Sequence, residues 1–409
     1  MMELPGRGLS REQVVGEIRE MKKEDADWRG GRTWSLIYPA GEDVDAMLRD
    51  AHDLYLFENA LNPLRFPSLW RMEREVVSMT AGLLHAPAEA GGCMTSGGTE
   101  SILLAVKTAR ERARVERGVT RPQLLAPVSA HPAFAKAAAW FGLEHVQIPL
   151  DADLRADVEA AVKLVGDRTA FMMGSAPNYP HGVVDPIPEL AALAAERGIA
   201  FHVDSCLGGF LLPFLEKLGH PVPPFDFRVP GVSTLSADVH KYGYCTKGAS
   251  VLLHRDRELM QRHQAFVYTD WPGGLYGSLA MAGARPAAPV AAAWAVMRYL
   301  GEEGYLRLAR TILDTTRRLQ EGIAAIPPLF VIGRPVMGVF AFGAEGADIM
   351  AIGDVMDDRG WHLDRQRGPD ALHLMVSPEH HKVADAFLAD LRDAVARHGA
   401  ARGVEARYS

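Results

Sequence analysis

The stretch STLSADVHKYGYCTKGASVLLH, residues 233–254, decides how the chain is read. Two short apolar runs flank a polar turn that carries Asp238, His240, Lys241 and Lys247. Apolar runs of this length, bounded by turn residues, read as buried strands. Lys241 then stands at the mouth of a sheet among aromatic residues, where an ordinary surface lysine is a poor explanation. Two ammonium groups this close in the chain repel each other unless an anion lies between or beside them.

Outward from this stretch, QLLAPVS, VQIPL, TAFMMGSA and IAFHVD read as further strands. Between several of them lie the helical segments HPAFAKAAAWFG, DLRADVEAAVKLVG and IPELAALAAERG. Strands alternating with helices predict an α/β fold with a mainly parallel central sheet covered on both faces. Ligands of such sheets gather at the carboxyl ends of the strands.

Three helices are predicted upstream. Ser10 and Gln13 form a capping-box pattern at the first. The second is DVDAMLRDAHDLYLFENAL. The third, SLWRMEREVVSMTAGLLH, carries an apolar stripe at Leu69, Met72, Val76, Met79 and Leu83. After a long helical region the strands PLFVIG, GVFAFG and ALHLMVS alternate with two helices, which predicts a smaller C-terminal α+β domain. The expected division is a helical segment over 1–55, a large domain over 56–300 and a small one over 301–409.

Bulk composition narrows the function classes. The formal net charge, 44 − 51 = −7, argues against nucleic acid as a partner. Cys93, Cys206 and Cys245 form no Cys-x-x-Cys pair, so a metal site is not expected, and sparse free thiols fit a reducing, cytoplasmic setting. No run approaches ~20 apolar residues, so stable membrane insertion is not expected.

The strand ends hold a specific set. TSGGTES, residues 95–101, opens a helix with two glycines and small hydroxyl residues, a cradle for an anion. Asp204 ends IAFHVD, where a carboxylate is costly without a cationic partner. His131 follows another strand, and Ser236, Asp238, His240 and Lys241 follow a third. Each alone admits a plainer reading: an N-cap, a capping aspartate, a core histidine, a surface lysine. Together they supply what a pyridoxal phosphate ring needs. Those needs are a helix N-terminus for the phosphate, a carboxylate for the pyridine nitrogen, a planar group for the ring face and an amine for the aldehyde.

The blocks TSGGTESILLA, SAHPAFAKAA, GSAPNYPHGVVDPIPEL, HVDSCLGGFLLPF, SADVHKYGYCTKG and GGLYGSLAMAGARP resemble the sphingosine-1-phosphate lyases. These are group II pyridoxal-phosphate-dependent decarboxylases with the aspartate-aminotransferase fold (fold type I). The resemblance implies that Lys241 bonds the cofactor aldehyde, Asp204 pairs with the ring nitrogen and His131 stacks on the ring. It implies that Gly98, Thr99, Ser236 and His240 hold the cofactor phosphate, with Ser278 reaching in from the second subunit of a homodimer. Tyr38, Asn62 and Lys247 match the family's substrate-phosphate residues. The family's histidine is replaced by Arg65 in the shortened loop NPLRFPSLW, and arginine is itself an anion clamp. Leu279, Ala280 and Ala284 stand where the family has proline, threonine and serine. No counterpart of the eukaryotic lyases' N-terminal membrane anchor is expected.

Three functions follow as expectations. The first is a carbon–carbon lyase that splits a phosphorylated 2-amino alcohol, an anionic amine, into an aldehyde and a phosphoamine, with Tyr276 and Lys241 as proton carriers. The second is a decarboxylase of an acidic amino acid, using Lys247 and Arg65 to bind the side chain. The third is a nucleotide-binding protein without catalysis.

Overall fold

IAFHVD lies inside a seven-stranded sheet in the computed structural model, which describes residues 1, 3–62, 64–397, 399–403 and 406. The strands are β1 (Gly91–Thr95), β2 (Gln123–Pro127), β3 (Glu144–Ile148), β4 (Thr169–Ser175), β5 (Ala200–Asp204), β6 (Val232–Ala237) and β7 (Ser250–His254). Their order is β1-β7-β6-β5-β4-β2-β3. The pairs β2/β3, β2/β4, β4/β5 and β5/β6 are parallel, and β7 runs antiparallel to both its neighbours.

Every residue of β4, β5 and β7 is buried, as a sheet with helices on both faces requires. Side chains alternate between two apolar cores. Leu125, Met172, Phe201 and Val203 enter one of them, while Leu124, Phe171 and Met173 enter the other. His202 and Asp204 alternate with Phe201 and Val203, so they share the second face.

β1 escapes a propensity reading because its sequence, GGCMT, has no β-branched residue before its end. Its glycine is needed all the same. A Cβ on Gly92 would lie 2.8 Å from the Leu252 carbonyl oxygen and 2.8 Å from Leu253 Cδ2.

A hairpin of β8 (Phe266–Tyr268) and β9 (Tyr276–Ser278) follows. The helical run Ala288–Ala324 then carries the chain away, broken at Gly301, where φ is 54°. Beyond it β10 (Leu329–Val331), β11 (Val339–Ala344), β12 (Asp364–Gln366) and β13 (Ala371–Met375) form an antiparallel sheet in the order β10-β11-β13-β12. The predicted C-terminal strands are all present; β12 is additional. Its polar sequence hides a buried cation, since Arg365 donates to Asp354 and Asp357 at 2.7 Å each.

The N-terminal segment serves this sheet. Trp34 is fully buried, stacked 3.9 Å from His380 and packed on Phe387 and Trp361. The Ser10–Gln13 capping box is present, on a helix, Arg11–Met21, with no buried residue. Among the described residues no helix is long and apolar enough to cross a membrane.

Candidate active site

The carboxyl ends of β4, β5 and β6 and the start of the Gly98–Arg117 helix enclose a cavity of about 320 Å³. Seven residues singled out from the sequence line it: Gly98, Thr99, His131, Asp204, Asp238, His240 and Lys241. They come from four separate stretches of chain and meet because strand ends meet.

The turn after β6 answers the electrostatic question set by its two lysines. Lys241 Nζ lies 3.1 Å from Asp238 Oδ2, and His240 Nε2 lies 3.5 Å from the same oxygen. Asp238 is 1% exposed. Burial alone would raise its pKa, but Lys241, with His240 behind it, holds the carboxyl well below the usual range. The sequence alone gives Asp238 no role; the signal for one is its place three residues before the lysine. Lys247 points elsewhere. Its amine donates to the His240 carbonyl at 3.1 Å and lies 4.8 Å from the centroid of the Tyr38 ring. Although this side chain reaches solvent, the protein packed around its amine, and then the charge of Lys241, lower its pKa.

Asp204 is held differently, by neutral donors. Its Oδ1 accepts from Cys206 N at 3.1 Å and from Ser236 Oγ at 3.4 Å. Cys206 also lines the cavity, and burial, then Asp204, push its thiol well above the usual value. It is a protonated wall residue and not a nucleophile. His131 has its pKa lowered, chiefly by burial, and its Nδ1 accepts from Ala133 N at 3.1 Å. The neutral ring therefore carries its proton on Nε2.

The helix start is built for an anion. Ser96 N and Oγ donate to Glu100 Oε2 at 2.7 and 2.6 Å, so the turn before the helix is self-capped. The first N–H groups of a helix have no partner within it, and here Gly98 and Thr99 carry theirs at the cavity.

Other sequence-derived residues lie apart. Ser236 is fully buried behind Asp204 and Cys206 and does not line the cavity. Tyr276 and Ser278 sit on β9, outside it. Ser278 Oγ donates to the Ala280 carbonyl at 2.9 Å, and Ser278 shares a larger groove of about 950 Å³ with Asn62. Asn62 Oδ1 is used in its own loop, accepting from Leu64 N at 2.9 Å, and Arg65 is exposed there. Tyr38 meets Lys247 but neither Asn62 nor Arg65 lines a cavity with them.

The chain is similar to known proteins over nearly its whole length. Residues 3–345 match the family model of the pyridoxal-dependent decarboxylase conserved domain. The chain is 45% identical to a sphingosine-1-phosphate lyase of Arabidopsis thaliana over 400 residues, 96% of this chain and 73% of that protein. Sphingosine-1-phosphate lyase 1 of Rattus norvegicus is 40% identical, covering 96% of this chain and 69% of its own. A solved sphingosine-1-phosphate lyase of Burkholderia pseudomallei superposes with a TM-score of 0.94 at 44% identity, over 97% of this chain and 93% of that one. Glutamate decarboxylase of Lactobacillus brevis shares the fold, with a TM-score of 0.84 at 20% identity over 97% of this chain and 94% of that one.

The residues present fit pyridoxal phosphate. About 320 Å³ suits one small phosphorylated ring, at the lower end of ligand pockets, which span roughly 300–1,000 Å³. The cradle also needs its glycine, because a Cβ on Gly98 would lie 2.6 Å from Cys206 Sγ and 3.0 Å from Asp238 Oδ2. Gly98→Ala is expected to weaken pyridoxal phosphate binding at least about tenfold, ~1.4 kcal/mol, by equilibrium dialysis against a protein of unchanged circular dichroism. Wild-type affinity in that variant would mean that the cofactor does not use this floor.

Proposed function

Because the chain belongs to the sphingosine-1-phosphate lyases of the pyridoxal-dependent decarboxylase family, we propose that it cleaves a phosphorylated 2-amino alcohol such as sphingosine 1-phosphate into a long-chain aldehyde and a phosphoamine. The observation that carries the proposal is Lys241 paired with the buried Asp238, 3.1 Å apart, in the cavity that also holds Asp204.

Bound pyridoxal phosphate supplies a protonated conjugated ring that takes up the electrons of the breaking bond. Lys241 is the amine that would tether the group. Asp204 would hold the proton of the ring nitrogen, and the neutral His131 would cover a ring face. The N–H groups of Gly98 and Thr99, with His240, would bind its phosphate. With the cofactor bound, Asp238 would remain the counter-charge of the Lys241 amine, which would let that amine carry a proton. The C3 hydroxyl loses its proton as the C2–C3 bond breaks, and C2 gains one. Lys241 and Tyr276 are the groups assigned to these transfers. The substrate phosphate is assigned to Lys247 and Tyr38, with Asn62 and Arg65 on a loop that a second subunit would close.

Decarboxylation of an acidic amino acid has less support, because the glutamate decarboxylase likeness, at 20% identity, speaks for the fold alone. Incubation with a phosphorylated 2-amino alcohol is expected to release aldehyde and phosphoamine, with no carbon dioxide from glutamate or aspartate. Lys247→Ala is expected to raise KM for the phosphorylated amine about tenfold, the worth of one charge-assisted hydrogen bond. Carbon dioxide from an acidic amino acid, without aldehyde from the amine, would reverse the assignment.

The reading includes a homodimer with shared sites. In support of it, the β8–β9 hairpin that carries Tyr276 and Ser278 exposes a run of apolar side chains, with Trp271 54% and Leu275 74% exposed. Delivery of Tyr276 to the site of a second copy would bury them. Lys241→Ala and Tyr276→Phe, each of low activity alone, are expected to regain activity when unfolded and refolded together, since hybrid dimers then hold one intact site. A mixture as inactive as its components would contradict sharing.

A further inference from the structure

Four polar side chains behind the cavity are arranged by strand register. His202 and Asp204 are two apart on β5, and Thr234 and Ser236 two apart on β6, so all four point to one face of the sheet. His202 pairs with Thr234, and Asp204 with Ser236. This register depends on a slip between Phe201 and His202: Phe201 pairs with Val232, which leaves Ser233 as an extra residue in β6. Phe201 N donates to Ser233 Oγ at 3.2 Å, which satisfies the amide at the slip. Without the extra residue His202 would face Ser233 and the four groups would not align.

All four are buried. His202 packs between Phe134 and Phe171, at centroid distances of 5.9 and 5.8 Å. Its Nδ1 lies 2.9 Å from Thr234 Oγ1 and its Nε2 lies 3.2 Å from Ser236 Oγ. Ser236 Oγ lies 3.4 Å from Asp204 Oδ1, and the Cys206 thiol donates to Ser236 Oγ at 3.2 Å.

Counting protons leaves one arrangement. Burial keeps the His202 ring neutral, with its pKa pulled down to about 4, so the ring has a single N–H. An ionised Asp204 only accepts. Ser236 has one hydroxyl proton, and unless it points at Asp204 two lone pairs face each other in a dry interior. Its oxygen then accepts from Nε2–H, as it does from the Cys206 thiol. Nδ1 is left as an acceptor, and Thr234 is its donor.

We infer that Thr234, His202 and Ser236 form a one-way hydrogen-bond chain that ends on Asp204 Oδ1 and aims that carboxylate at the cofactor ring nitrogen. Thr234, His202 and Ser236 are positioning residues; none of them lines the cavity. The inference rests on the pyridoxal phosphate reading. It also changes the role of Ser236, from a ligand of the cofactor phosphate to the last donor to Asp204.

Thr234→Val tests the chain at its far end, since it keeps the shape of the side chain and removes the hydroxyl. Nδ1 then has no donor, the ring is free to take the other tautomer, and the proton of Ser236 is drawn away from Asp204. In the full-length protein, Thr234→Val and Ser236→Ala are expected to raise the Kd for pyridoxal phosphate about three- to tenfold, the worth of one neutral hydrogen bond. The absorption band of the bound cofactor is expected to shift in both, while the apoprotein melts as wild type does. Thr234→Ser is expected to restore both the affinity and the band. Wild-type affinity and spectrum in Thr234→Val overturn the inference, even where Ser236→Ala is impaired, because the effect then does not pass through His202. Wild-type protein that binds no pyridoxal phosphate would sink the functional reading and this inference together; binding with unchanged variants sinks the inference alone.

Discussion

An ammonium and a carboxylate 3.1 Å apart, Lys241 Nζ and Asp238 Oδ2, are the interaction around which the site is built. Neither charge is tolerable alone at this depth, because leaving one buried partner unpaired costs about 3–5 kcal/mol. The turn that joins them is accordingly fixed on several sides. Tyr244 adopts φ of 61°, uncommon for a residue with a side chain, and its N–H bonds to the Lys241 carbonyl at 2.9 Å. Tyr242 Oη donates to the Val376 carbonyl next to the C-terminal sheet, and Tyr305 Oη donates to the Gly243 carbonyl from the long helical run. Two contacts from the C-terminal part of the chain thus clamp the loop that carries Lys241.

Two carboxylates face the same cavity with different supports, and that difference separates their tasks. Asp238 is matched by a full charge and sets the state of the amine. Asp204 is matched by neutral donors from β6 and from the turn after β5, which leaves it available to a ligand. Environments that separate two like groups in this way are how one site assigns them different roles. The parallel sheet makes the separation possible, because strand ends bring residues far apart in sequence to one rim while alternation keeps apolar neighbours on the other face.

Much of this was legible in the sequence. The apolar runs of β2 to β7 announce themselves, and with them the ends at Asp204 and Lys241. The glycines at 97 and 98 mark the cradle because a helix that must approach an anion closely needs them. What stayed hidden was set by pairing and not by local pattern. β1 carries Gly92 where the neighbouring strand comes close, and β12 is polar because Arg365 finds the buried carboxylate of Asp354. The alignment of Ser236 with Asp204 depends on a one-residue slip in β6 that no periodicity reveals. Asn62, Tyr276 and Ser278 were tied to the site by resemblance to relatives, and in a single chain they lie outside the cavity.

The site geometry points to the amine at 241, and not its neighbour at 247, as the one that bonds the cofactor. Reduction of the holoprotein with borohydride followed by peptide mapping tests it most directly. One pyridoxyl group per chain is expected, on the peptide that contains Lys241 and attached to that residue. A pyridoxyl group on Lys247, or none on either lysine, would contradict it.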